Sequence, residues 1–449
     1  MSGATAGETA RVADLTQAGE GVVHAGKTVF VAGALRGELV RFRRTRRHRQ
    51  HDDGELLEVL EPAADRVMPR CPHFGVCGGC VLQHLSPAAQ LAAKDAELRA
   101  TLMRVGRVTP ARWLEPIAGP HWGYRRRARL GAKFVRRKER VVVGFRERAA
   151  PYVAQLASCE VLAPPAGALI APLAALLTEL TIREHVPQIE VAVADNATAL
   201  VLRVLQPPSA EDEQRLAAFA RAHGVRLYLQ PGGLGSVHEL ALSSQPAVRE
   251  QPLHYRLPGG GLELQFGPTD FIQVNGAVNA LLIQRAAELL ELTGDATLLD
   301  LYCGLGNFSL PLARSAARVI GVEGDAALVE GARGNARRNG LTNAEFHVAD
   351  LAAAPEPGSP WMRHPCTHVL LDPPRTGARA VLAALARLAP RRLLYISCHP
   401  GTLARDLGLL VHEHGFILAA AGVVDMFPHT AHVESVALLT SAAPASPRV

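Results

Sequence analysis

The 449-residue chain has no run of about 18 uncharged apolar residues, so no membrane-spanning helix is expected. Its first residues, Met1 to Ala10, carry no hydrophobic core of a signal peptide. Together these point to a cytosolic protein without a membrane partner. Lysine is scarce, limited to Lys27, Lys94, Lys133 and Lys138, so nearly all of the positive charge is arginine. That charge clusters at 41–49 and 125–140 on a chain of net charge +6. Arginine grips phosphate bidentately and stacks on bases, which suits nucleic acid, although such runs also occur as solvated faces. No tandem repeat is present. Cysteines number seven, an odd count, and a reducing compartment disfavours disulfides, so their roles must lie elsewhere.

Three regimes follow one another. Residues 1–62 alternate short β-branched stretches with glycine turns, which predicts a small β-barrel, with the first arginine run on a strand and the loop after it. Residues 63–266 open with clustered cysteines, continue into a helix over 87–104, and then read mainly as strands interrupted by helices near 167–180 and 210–223. From 267 to 449 the pattern alternates strand and helix, and predicts a doubly wound, mostly parallel sheet. Strands are expected at 298–302, 318–322, 345–348, 368–371 and 393–396, and helices at 309–315, 326–339, 378–388 and 402–413. Two last strands, 417–424 and 433–439, have no helix between them and predict an antiparallel hairpin. The tail after Ser441 reads as disordered. The expected fold is thus α/β multidomain: a small barrel, a mainly β middle unit and a C-terminal Rossmann-like unit.

In the third regime Asp300 to Ala313 reads DLYCGLGNFSLPLA, a strand, a turn with Gly304 and Gly306, then a helix. Glycines let a ligand approach the backbone. Glu323 ends the next strand, where a carboxylate accepts ribose hydroxyls, and Asp350 follows the strand after that, near an adenine. A dinucleotide site would want a third glycine where Ser309 stands. S-adenosylmethionine has no phosphate and needs only the turn and the two acids. Asp372, opening Asp372-Pro373-Pro374-Arg375, follows an apolar strand at the edge where such sheets bind ligands. Cys398 follows another such strand. By itself a lone cysteine is more often a small core residue. Glu434 is a carboxylate within an apolar strand, costly to bury unless it has a task or a partner.

The segments FIQVN (271–275), DLYCGLGNF (300–308), DPPR (372–375), ISCHP (396–400) and HVES (432–435) occur in order. Together they resemble the RNA uridine-5-methyltransferase family over essentially the whole chain. The front of the chain resembles a TRAM RNA-binding domain, and the cysteine set the iron–sulfur branch that acts on 23S ribosomal RNA. The resemblance implies an S-adenosylmethionine-dependent enzyme, monomeric by family habit, that methylates carbon-5 of a uridine. It implies Cys398 as nucleophile toward uracil carbon-6 and Glu434 as acceptor of the carbon-5 proton. Gln273, Tyr302, Asn307, Glu323, Asp350 and Asp372 would line the cofactor and active-site pocket, and Phe271 would stack on a base.

Cys71, Cys77 and Cys80 are spaced Cys-x5-Cys-x2-Cys with glycines at 75, 78 and 79. Spacing alone leaves zinc and an iron–sulfur cluster both open. The resemblance supplies Cys159 as a fourth ligand and favours a 4Fe-4S cluster. Cys303 and Cys366 read as bystanders. The competing readings are a methyltransferase for another rRNA or tRNA uridine, a non-catalytic RNA-binding assembly factor, and an iron–sulfur redox enzyme using a dinucleotide. The pairing of Cys398 with Glu434 argues against the second, and Ser309 against the third.

Overall fold

The computed structural model describes residues 7–16, 18–240, 251–257, 261–356 and 358–441. The tail after Ser441, expected to be disordered, lies outside them. Five N-terminal strands, Glu8–Leu15, Glu20–Ala25, Lys27–Ala32, Leu39–Arg47 and His51–Glu61, close into a barrel. Alternation places Val12, Val23, Val29, Val31, Val40 and Phe42 inside. The strand period that buries Val40 and Phe42 sends Arg41 and Arg43 outward, where they pair with Glu58 and Glu55. Arg44 reaches Glu8 and Asp52. Part of the first arginine run is therefore already neutralised by acids on neighbouring strands.

A six-stranded sheet follows. It joins Arg127–Val135, Arg140–Gly144, Gln188–Val193, Thr198–Arg203, Val225–Gln230 and His238–Glu239. Helices Ile170–Glu179 and Ala210–His223 pack on it, the second opened by a Ser209–Asp212 capping box. The second arginine run is partly absorbed here too, since Arg127 and Arg129 share the buried Glu190.

The C-terminal unit is built on an eight-stranded sheet. Its order is Ala344–Val348, Arg318–Glu323, Thr297–Leu301, His368–Leu371, Arg392–Ser397, Glu434–Ser441, Phe416–Val424 and Arg112–Trp113. The first five are parallel, and Glu434–Ser441 runs antiparallel to both of its neighbours. Side chains buried on both faces explain why the central strands Thr297–Leu301, His368–Leu371 and Arg392–Ser397 read as mostly apolar. The helix expected over 309–315 is a single turn, Ser309–Leu312, because the chain then closes with short i→i+3 bonds around Pro311.

Three pieces of the middle segment pack with this sheet or its helices. Arg112–Trp113 extends its edge. The hairpin of Leu253–Leu257 and Leu262–Phe266 is bonded through its backbone to the side chains of Asn335 on helix Ala326–Arg338 and of Asn339, which caps that helix's C-terminus. Helix Pro87–Thr101, started by Ser86, also packs here, burying Leu98 beside Leu299, Leu403 and Leu407. It widens into one π-type turn over Leu102–Gly106, shorter in α-helix than expected. There Gly106 and Gly408 let two backbones meet: a Cβ on Gly106 would lie 2.5 Å from the Ala404 carbonyl.

Candidate active site and cysteine cluster

Five functional candidates lie at the carboxyl edge of the parallel strands, each just past or at a strand end: Tyr302, Glu323, Asp350, Asp372 and Cys398. Glu434 begins an antiparallel strand, so it reaches the same edge from the opposite direction. The register pairs Ser397 with Ser435. Continued by one step, it sets Cys398 across from Glu434.

The turn after Thr297–Leu301 is forced by its residues. Tyr302, Gly304 and Gly306 all have positive φ, and Tyr302 does so without the freedom of glycine, at a cost of about 1–3 kcal/mol. Its hydroxyl donates to the Leu351 carbonyl at 3.2 Å. Glu323 accepts from the backbone N–H groups of Gly304 (3.2 Å), Gly324 (2.6 Å) and Asp325 (3.2 Å), which fixes the glycine turn against the second strand. Asp350 is exposed and accepts from Ala352 N at 2.8 Å. Carboxylates fixed this way, beside a glycine turn with open space over Gly304, suit a ribose and a purine edge.

Gln273 Nε2 donates to Asp372 Oδ2 at 3.2 Å, so the loop before helix Gly276–Leu290 meets the end of strand His368–Leu371. Phe271, in the same loop, is 67% exposed. Glu434 is 4% exposed, and burial pushes its carboxyl up to about 7. Burial together with the nearby Glu434 pushes Asp372 well above the usual carboxylate range. The Cys398 thiol is pushed up by burial and by Glu434 and Asp372, with Arg375 opposing. Asp300, behind the turn, rises to about 7 through burial; Ser309 donates to one of its oxygens and the other is buried without a partner. Several carboxyls crowded away from water cannot all ionise at neutral pH, and this is the setting in which a carboxyl works as a proton acceptor near pH 7.

Asn307 is placed differently from a residue reaching only into a pocket. Its amide pairs reciprocally with Asn279 (2.8 and 2.9 Å), and its oxygen also accepts from Tyr255 at 3.3 Å. Asn279 and Tyr255 carried no sequence signal as site residues; both look like ordinary members of apolar elements. Ser309 holds Asp300 in place of the third glycine. Cys303 and Cys366 are core residues.

Cys71, Cys77, Cys80 and Cys159 line one cavity with Phe74, Phe145 and Leu156. The loop is shaped for them. Gly75 has positive φ, Gly79 donates its N–H to Cys77 Sγ at 3.4 Å, and a Cβ at Gly167 would lie 2.3 Å from the Cys159 carbonyl. Burial pushes the thiols of Cys77 and Cys80 up to about 11 and 12. Four such sulfurs facing one cavity suit a cationic centre that favours thiolates. Among the described residues, the trio of donor atoms lying within 4.8 Å of one another is His48, His51 and Asp53 rather than any three of these cysteines.

A parallel sheet carrying a glycine turn, an acid at the next strand end and a closing antiparallel hairpin is the Rossmann-like methyltransferase fold. The crystal structure of Pyrococcus abyssi tRNA (uracil-54, C5)-methyltransferase in complex with S-adenosyl-L-homocysteine shares the fold, with a TM-score of 0.72 at 22% identity, covering 96% of this chain and 100% of that one. The family model described as tRNA (Uracil-5-)-methyltransferase matches residues 248–442. The 23S rRNA (uracil(1939)-C(5))-methyltransferase RlmD of Xanthomonas euvesicatoria is 49% identical over 431 residues, 95% of this chain and 96% of the relative. The RlmD of Alkalilimnicola ehrlichii is 50% identical over 428 residues, 95% of each chain. The chain belongs to the RNA uracil-5-methyltransferase family, on the RlmD branch.

Proposed function

We propose that this protein methylates carbon-5 of a uridine in 23S rRNA, the position named as uracil 1939 in its relatives, with S-adenosylmethionine as methyl donor. The observation that carries the reading is the meeting of Cys398 and Glu434 at the sheet edge beside the glycine turn and Glu323. Carbon-5 of uracil is a weak nucleophile, so one hard displacement is divided into two easier ones by a covalent step. The Cys398 thiolate adds to carbon-6, and the electron pair moves to carbon-5 and its neighbouring carbonyl as an enolate. S-adenosylmethionine supplies the electrophilic methyl group that this carbon takes. Glu434, as carboxylate, then removes the carbon-5 proton. The electrons of that C–H bond re-form the 5,6 double bond, and the bond from carbon-6 to Cys398 Sγ breaks. Asp372, held by Gln273, is placed to hydrogen-bond the uracil edge, and the exposed Phe271 to stack on a base. Flipping the target out of its stack costs about a few kcal/mol, which such stacking offsets.

Cys71, Cys77, Cys80 and Cys159 hold a 4Fe-4S cluster in this reading, as structure rather than as a redox partner of methyl transfer. Acting on ribosomal RNA places the enzyme in the cytoplasm. Among the described residues no helix is long and apolar enough to cross a membrane.

The test is methyl transfer to unmodified transcripts. Incorporation into a 23S rRNA fragment containing the target uridine, and not into tRNA, is expected, with Cys398→Ala inactive. Incorporation into tRNA alone would overturn the substrate assignment.

A further inference from the structure

We propose that His429 is a positioning residue for Glu434, tying the loop that leads to the proton acceptor onto the cysteine-bearing loop; the inference rests on the role of Glu434 given above. The His429 carbonyl accepts from Val81 N at 2.9 Å and Leu82 N at 3.0 Å, the two residues directly after Cys80. Its own N–H donates to Gln90 Oε1 at 2.9 Å, and Gln90 Nε2 meets its ring Nδ1 at 3.2 Å. The ring lies 4.0 Å from that of Trp122. Three separate stretches of chain thus converge on His429: the cysteine loop, helix Pro87–Thr101 and the segment at Trp122.

That residue is expensive to keep. His429 is 2% exposed and has φ +66°. Left-handed backbone in a residue other than glycine costs of order 1–3 kcal/mol. Packing alone would be served by an apolar residue in ordinary backbone, so that cost persists because the geometry is fixed from outside. The consequence runs down a short path. Thr430 Oγ1 donates to the Phe427 carbonyl at 2.9 Å and accepts from His432 N at 3.3 Å. His432 then meets Arg375 at 2.7 Å beside Asp372. Glu434 follows two residues later. His429 touches neither Cys398 nor the pocket acids, so it acts through the path of this loop. A shift of about 1 Å in a proton acceptor can cost 10²-fold in rate.

The step that suffers is proton removal, after methylation and before release of Cys398. The readout is therefore accumulation of the methylated RNA–protein adduct on ordinary uridine RNA, seen on a denaturing gel and by mass spectrometry. Glu434→Gln is the reference and should accumulate it. His429→Gly relieves the backbone strain but removes the ring, and should accumulate the same adduct with release slowed by about 10- to 100-fold. Gln90→Met, which frees the ring and N–H of His429 and also the Leu82 and Leu85 carbonyls, should do likewise; the two are read in whichever keeps the parent's melting temperature. His429→Asn, which tolerates left-handed backbone and can still bond Gln90, should restore turnover. Parent-like release in His429→Gly and Gln90→Met, or adduct formation falling in step with turnover, would overturn the inference. No adduct from Glu434→Gln would instead defeat the assignment of Glu434, and the inference with it.

Discussion

Ser435 Oγ donates to the Ser397 carbonyl at 3.3 Å across the antiparallel seam of the catalytic sheet. That pairing fixes which residues come next: Cys398 one step onward on one strand and Glu434 one step back on the other. Sheet register thus sets Cys398 and Glu434 across from each other, the loop before Glu434 fixes how its strand enters, and a slip of one residue would send Glu434 to the other face.

Burying Glu434 has a measurable cost. Its folded pKa of about 7 lies above the ordinary 4.5, so its contribution to stability is full below about pH 4.5 and is lost as pH rises through about 7. Glu434→Gln should therefore be more stable than the parent at pH 8, by on the order of 3 kcal/mol, with little difference at acid pH. Denaturant melts of both proteins across this range check it. A parent no less stable than the variant at pH 8 would mean the carboxylate has a partner that offsets its burial.

The same carboxyl sets the direction of the pH–rate profile. Proton removal follows methyl transfer and needs the carboxylate, so kcat should rise with pH through about 7 when this step limits turnover. Burial and anionic neighbours raise the Cys398 thiol as well, so the rise should continue on the alkaline side. Initial rates on a short rRNA fragment measure this, and a fall in rate between pH 6 and pH 8 would contradict it.

Lys94 and Asp425 form an ion pair at 2.7 Å in which both side chains are 2% exposed, with Lys94 also donating to the Phe427 carbonyl. Lys94→Met leaves the Asp425 carboxylate buried and unpaired, and should destabilise the protein by about 3–5 kcal/mol. Calorimetric or denaturant unfolding tests this. A loss well under 1 kcal/mol would show that water reaches Asp425.

Cys159 lies far in sequence from Cys71, Cys77 and Cys80 yet lines the same cavity. With the proposed 4Fe-4S cluster, the parent should be brown and hold iron, and Cys159→Ala protein should lose both while keeping the methyltransferase sheet. Retained visible absorbance and iron content would exclude Cys159 as a ligand.

These residues also show what was legible in the sequence. The mostly parallel sheet, the closing hairpin and the strand-end acids follow from apolar periodicity and chain order, which are local signals, whereas the edge strand Arg112–Trp113 was not read from them. The barrel is legible for the same reason, through glycine turns between alternating strands. Lys94 was not legible, because a lysine on an amphipathic helix reads as solvated and its partner is 331 residues away. Asn279 and Tyr255 were missed for a similar reason: their importance lies in meeting Asn307, and no pattern on helix Gly276–Leu290 or strand Leu253–Leu257 announces it. The arginine runs read as free positive charge, whereas Arg41, Arg43 and Arg44 are paired with acids that strand order brings alongside.

The covalent role of Cys398 is tested most directly with 23S rRNA fragments carrying 5-fluorouridine, incubated with the protein and S-adenosylmethionine. Fluorine cannot leave as a proton, so Glu434 has nothing to remove and the methylated adduct should persist. A methylated, RNA-linked peptide containing Cys398, absent from Cys398→Ala, is the predicted result. Methyl transfer to ordinary RNA without any adduct on the fluorinated RNA, or an adduct that survives Cys398→Ala, would contradict the account.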